Sequence, residues 1–186
     1  MIEMYTTGET TITESQLNDL EKYFGVKFPQ AYRDFMLIAN GGIPLHCCFN
    51  FKDGTDGSTV SFYTVSPGNR RDIVGSNKAR EQRLPRGFVS IGDDDNGNEI
   101  CIDCNEGQGY GKIHFWDHEN EADAAQGETP ETVGNTLLID DTFAEFLEGL
   151  HDVELLDLPK GYLEDDPIAG ARFKALMKPE HYWLDD

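Results

Sequence analysis

The sequence predicts an α+β fold: a mostly antiparallel sheet with N-terminal helices and a C-terminal helix packed on it. Three observations carry this. Apolar residues recur at helical spacing near both ends of residues 1–151, and at strand spacing over 58–65, 88–92, 99–104 and 112–117. The links between the last three strands, 93–98 and 105–111, are short and rich in turn residues, whereas a parallel pair would need a crossover of roughly a dozen residues. The 186 residues are 38% hydrophobic with eleven Phe, enough to build one packed core and too apolar for a disordered acidic chain.

Ile12-Thr13-Glu14-Ser15-Gln16-Leu17 opens the first helix: Thr13 is the N-cap, Gln16 reaches back to it, and Ile12 packs on Leu17 as a staple. Leu17, Leu20 and Phe24 share a face, and Gly25 ends the helix in the left-handed conformation. Pro29 suits the first turn of a second helix, where its missing N–H would have no partner. Tyr32, Phe35, Met36 and Ala39 give that helix its apolar stripe, and Asn40-Gly41-Gly42 stops it. β-branched and aromatic residues make 58–65 one strand, with Val60 and Phe62 on one face. Residues 70–86 hold six Arg or Lys against Asp72 and Glu81, with a weak period that fits a short helix or an ordered loop. Three strands follow; along the last, His114 and Trp116 share one face and Phe115 takes the other. Residues 119–135 read as an acidic loop and 136–139 as a short strand. Phe143, Phe146, Leu147 and Leu150 form the apolar face of a closing helix capped by Asp141 or Thr142. Beyond this domain of 1–151, residues 152–186 read as an acidic linker and a helical extension over 167–177, packed on or near the same domain.

The formal charge of −20 is unevenly placed. Residues 1–86 carry ten basic and ten acidic side chains, while 87–186 carry five and twenty-five. A field of that sign repels nucleic-acid phosphates and anionic membranes and draws in basic proteins, so a protein partner is expected and a nucleic acid is not. The N-terminus has neither a basic nor an apolar leader region, and no run of about 18 apolar residues could span a bilayer. The expected location is cytoplasmic, where Cys47, Cys48, Cys101 and Cys104 are free thiols.

Chemistry-bearing motifs are weak. Around Asp93-Asp94-Asp95-Asn96-Gly97-Asn98-Glu99 the EF-hand spacing fails: with Gly97 at loop position six, Gly92 falls at position one, and twelve counted from Asp93 is Cys104. Cys101 and Cys104 have zinc-knuckle spacing but lie in a strand-like run, so no metal and no cofactor is expected. His114 and His118 have no nucleophile motif beside them, and the glycines of 107–111 lack the Lys-Ser/Thr and helix start of a phosphate loop. The residues support no enzyme.

Phe28-Pro29, Asn40-Gly41-Gly42, Leu84-Pro85, Ile91-Gly92, Gly97-Asn98, Ile100-Cys101-Ile102-Asp103, Phe115-Trp116-Asp117-His118 and Phe143 with Phe146-Leu147 follow one another in a particular order and spacing. That pattern resembles the SUKH superfamily, the group of the yeast Smi/Knr cell-wall regulators and many bacterial immunity proteins. The resemblance implies helices on a mostly antiparallel sheet and a non-catalytic module that binds and neutralises a cognate secreted toxin, with nucleases a frequent target. Two other classes stay open: a regulatory scaffold of the Smi/Knr type and a small-molecule-binding enzyme. A basic toxin surface would meet carboxylates standing where phosphates bind. The expected partner-binding residues are therefore Asp93, Asp94, Asp95, Asp117, Glu119, Glu121 and Asp123, with Trp116 as an aromatic anchor beside them or, alternatively, a core residue.

Overall fold

Thr13 starts helix α1 (Glu14–Phe24) through a reciprocal pair: its N–H donates to Gln16 Oε1 at 2.9 Å, and its Oγ1 accepts the Gln16 N–H at 3.3 Å. Gly25 ends α1 at φ 69°. Helix α2 (Gln30–Ala39) follows Pro29 and stops at Asn40, a non-glycine residue held at φ 49°. Asn40 is fixed there by its side chain, whose Nδ2 donates to Thr10 O at 2.8 Å and whose Oδ1 accepts the Val65 N–H at 2.9 Å. At Gly41 a Cβ would lie 2.0 Å from the Tyr63 carbonyl oxygen, so only glycine lets the helix exit pass this close to the sheet.

The computed structural model describes residues 3–8, 10–94 and 96–152, so the expected 167–177 helix and its linker beyond Asp152 lie outside the described residues. Strands β1 (Met4–Thr7), β2 (Gly42–Pro44), β3 (Cys48–Asn50), β4 (Asp56–Thr59), β5 (Ser61–Phe62), β6 (Phe88–Asp93), β7 (Glu99–Asp103), β8 (Ile113–Trp116) and β9 (Thr136–Asp140) alternate with helices α3 (Ile73–Lys78) and α4 (Phe143–Gly149). Seven of the strands form one antiparallel sheet in the order β1-β2-β5-β6-β7-β8-β9; β3 and β4 form a separate hairpin. The fold is α+β, as expected.

The expected single strand over 58–65 is two. Residues up to Thr59 pair with β3, then Val60 donates its N–H to Cys47 O at 2.8 Å, and Ser61 and Phe62 cross into the large sheet beside β6. The chain changes partner in the middle, which buries every residue from Val60 to Thr64 and erases the alternation that a one-sided strand would show.

Strand alternation then builds two cores. Ile100, Ile102, Ile113 and Phe115 point into the larger one, where Phe35, Phe62, Phe143 and Phe146 from the helices and β5 pack as edge-on and tilted rings 4.7 to 6.3 Å apart. Cys101 and Trp116 point to the opposite face and meet Leu84 and Phe88. That face is covered by Asn77, Arg80, Arg83 and Leu84, while Ile73 at the start of α3 packs into the larger core. Asp72 caps α3 by accepting the Gly75 N–H at 3.0 Å, and Asn77 grips β6 by donating to Ser90 O at 2.7 Å and accepting the Ser90 N–H at 2.9 Å.

The β3–β4 hairpin lies against the β9 end of the sheet: Lys52 N–H donates to Leu138 O at 3.1 Å, and its Nζ pairs with Asp140 and Asp141 at 3.1 and 3.2 Å. Cys48 and His151 exchange backbone hydrogen bonds at 3.0 and 2.9 Å. Among the described residues no helix is long and apolar enough to cross a membrane.

Candidate functional site

Apart from Asp95, the acidic residues singled out from the sequence gather at one end of the sheet, where the β6–β7 turn meets the segment after β8. Asn98 joins the two: its N–H and side-chain amide bind Asp94 at 2.9 and 2.8 Å, and its Oδ1 accepts the His118 N–H at 3.1 Å and faces His118 Nδ1 at 2.9 Å. The turns thus form one lip.

Within the lip most of the carboxylates have internal partners. Asp94 is 1% exposed and also accepts the Asn96 N–H and the Ser58 hydroxyl, so it organises the turn and offers almost nothing to a partner. Asp93 is held by Arg71 Nη2 at 2.8 Å and the Tyr63 hydroxyl at 3.3 Å. Asp95 lies outside the described residues. Asp117 caps a short 3-10 turn by accepting the Glu119 N–H at 2.9 Å, and Asp123 caps a second by accepting the Ala125 N–H at 2.8 Å. The Gln126 amide on Asp123 holds that carboxyl below the usual range. Glu121 forms a two-pronged pair with Arg83, one arm at 2.8 Å, which lowers its carboxyl likewise. Glu119 and Asp123 are the exposed members.

Trp116 is not at the surface. It is 0% exposed, with the Arg83 guanidinium 5.3 Å above its ring, so the anchor reading gives way to the core reading. The cause is the cover: Leu84 and Arg83 lie over a strand face that the sequence left open. Sequence reasoning missed Arg71, Arg83 and Asn98 as shapers of the lip. The six cations over 70–86, set against the acids after residue 87, were the signal for the two arginines.

Cys101 and Cys104 sit in different cores, and burial pushes the Cys104 thiol up to about 12. Among the described residues no three His, Cys, Asp or Glu converge as a metal site. A groove of about 820 Å³ runs between α1 and the β7–β8 loop, lined by residues including Lys22, Val26, Lys27, Cys104, Glu106 and Tyr110, none of which belongs to the acidic lip.

The SMI1 / KNR4 family (SUKH-1) model matches residues 11–149. The SPbeta prophage-derived uncharacterized protein YokK of Bacillus subtilis (strain 168) is 28% identical over an alignment of 124 residues that covers 58% of this chain and 62% of that protein. The chain therefore spans less than two thirds of this relative's length. A solved protein from Pseudomonas syringae pv. tomato is similar with a TM-score of 0.41 and 16% identity, over 58% of this chain and 69% of that one.

Proposed function

The chain belongs to the SMI1 / KNR4 family (SUKH-1), and from that membership we propose that it is an immunity protein, a non-catalytic module that binds a cognate secreted toxin and blocks it stoichiometrically. Family membership over 11–149 is the observation that carries the reading. The charge distribution supports a basic partner, since all twenty excess negative charges fall within residues 87–186. The proposed contact surface is the acidic lip, with Glu119 and Asp123 making direct contact and Asp94, Asp117 and Asn98 holding its shape. Trp116 is not part of it.

Co-expression with the toxin domain encoded by a neighbouring gene tests this. Growth is expected to be rescued, and the two chains are expected to co-purify as a stoichiometric complex. Unrescued growth without a complex would overturn the immunity reading; rescue with a complex that leaves Glu119 and Asp123 free would overturn only the surface.

A further inference from the structure

The chain carries Asn-Gly at Asn40-Gly41 and again at Asn96-Gly97, in opposite surroundings. In this dipeptide the side-chain amide is open to attack by the next backbone nitrogen, because glycine has no Cβ to obstruct the approach. Reaction still needs a side chain free to swing, a backbone nitrogen that can give up its proton, and water.

Asn40 lacks the first and the last. It is buried, and its amide is held at both ends: Nδ2 donates to Thr10 O at 2.8 Å and to Val65 O at 3.3 Å, and Oδ1 accepts the Val65 N–H at 2.9 Å. Asn96 meets all three needs. It and Gly97 are exposed at the tip of the β6–β7 turn. That turn hangs on Asp94, whose Oδ1 accepts the Asn96 N–H at 3.0 Å and the Asn98 N–H at 2.9 Å. The Gly97 N–H between them has no acceptor among the described residues, and the Asn96 side-chain amide makes no hydrogen bond among them. The Asp94 carboxylate is further engaged by the Ser58 hydroxyl at 3.0 Å and the Asn98 amide at 2.8 Å, so its charge bears less on the Gly97 nitrogen.

We propose that Asn96-Gly97 is a site of spontaneous self-modification through a cyclic imide. The Gly97 nitrogen loses its proton to solvent base and bonds to Asn96 Cγ. The Cγ–Nδ2 bond breaks, and Nδ2 takes a proton from solvent and leaves as ammonia. Water then opens the five-membered ring and returns a proton to the Gly97 nitrogen. Opening at Cγ gives aspartate; opening at the main-chain carbonyl gives isoaspartate, in which the chain runs through the side-chain carbons. Either route takes up one water, releases one ammonia and leaves one new carboxylate.

The product adds a negative charge to the lip. Isoaspartate also lengthens the main chain by one carbon between the two N–H groups that Asp94 Oδ1 brackets, so one carboxylate oxygen no longer spans both. The tie that slackens is Asn98, whose Oδ1 accepts the His118 N–H at 3.1 Å. The modification goes beyond partner binding and stands without it.

The full chain, folded or unfolded in guanidinium, is incubated in mildly alkaline buffer at body temperature, digested under acidic conditions and its peptides weighed. The folded chain is expected to gain about one dalton on the peptide carrying Asn96 and nothing on the peptide carrying Asn40. In guanidinium both should gain it at comparable rates. Folding should slow Asn40 at least ~100-fold, because it reacts only from opened forms. Asp53-Gly54 and Asp56-Gly57 would close the same ring with loss of water and then regain it, so mass separates them from the asparagine reaction. Asn96→Gln, which would have to close a six-membered ring, should abolish the gain at 96 while keeping the fold. In the isoaspartyl product, isolated by chromatography, amide exchange at Asn98 and His118 should speed several-fold, whereas Asn96→Asp should exchange there as the parent does. No gain at Asn96 in the folded chain, an equal gain at Asn40, or parental exchange in the isoaspartyl product would each overturn the proposal.

Discussion

Trp116 shows how one side chain's role depends on what is laid over it. Its alternation with Phe115 was legible in the sequence, since a strand must send neighbouring side chains to opposite faces. What covers the Trp116 face was not, because residues 70–86 have a weak apolar period and hold on through long polar side chains: Arg83 over the indole, Arg80 on Glu99 and Asn77 on Ser90. Those contacts leave no periodic trace. Truncating Trp116 to Ala would empty a closed site, and the expected cost is ~3–5 kcal/mol of stability, read by urea unfolding. In partner binding, the variant that remains folded is expected to dissociate at the parental rate. A faster dissociation at unchanged stability would return Trp116 to the interface.

Among the elements, the helix boundaries were readable because caps are local chemistry. Thr13 with Gln16, Gly25, Asn40 and Thr142 each act within a few residues of the end they define. Strands β1 and β2 went unread for the opposite reason: four and three residues long, they exist only through pairing with each other and, for β2, with Phe62. Their stability depends on the Asn40-Gly41 exit from α2, which puts two glycines of similar φ on opposite sides of a sharp expectation. Gly25 at φ 69° has no atom within 4 Å of an added Cβ, so Gly25→Ala should cost ~1 kcal/mol from the left-handed conformation alone. Gly41 at φ 77° would drive its Cβ into the Tyr63 carbonyl, so Gly41→Ala should lose at least ~2 kcal/mol more than that. Paired denaturation curves decide it, and equal midpoints would mean that the α2 exit adapts freely.

For the molecule as a whole, charge was the plainest feature of the sequence and the one whose local meaning changed most. The fold sets Arg71, Arg83 and Asn98 against the acids of the lip, which leaves Glu119 and Asp123 to project the field outward. The two arginine pairs join residues 22 and 38 positions apart, distances that no local pattern reports. Replacing Glu119 by Gln and Asp123 by Asn keeps a capping side chain at 123 and removes two charges. Association with a basic toxin should slow several-fold at low ionic strength, and the parental and variant rates should converge by about 0.5 M salt, where the screening length falls to a few ångströms. Stopped-flow mixing across salt would measure it; parallel salt slopes would exclude steering by these two acids. The hairpin at the β9 end of the sheet has a different consequence. An outermost strand ordinarily offers its free amides and carbonyls as a template for a second copy of the chain. Here the Lys52 amide already occupies the Leu138 carbonyl, and the Lys52 ammonium with Asp140 and Asp141 sets charge along the rim. A copy approaching edge-on meets a broken row of acceptors and a paired surface charge to displace, which obstructs the strand-by-strand growth that turns sheet proteins into fibrils.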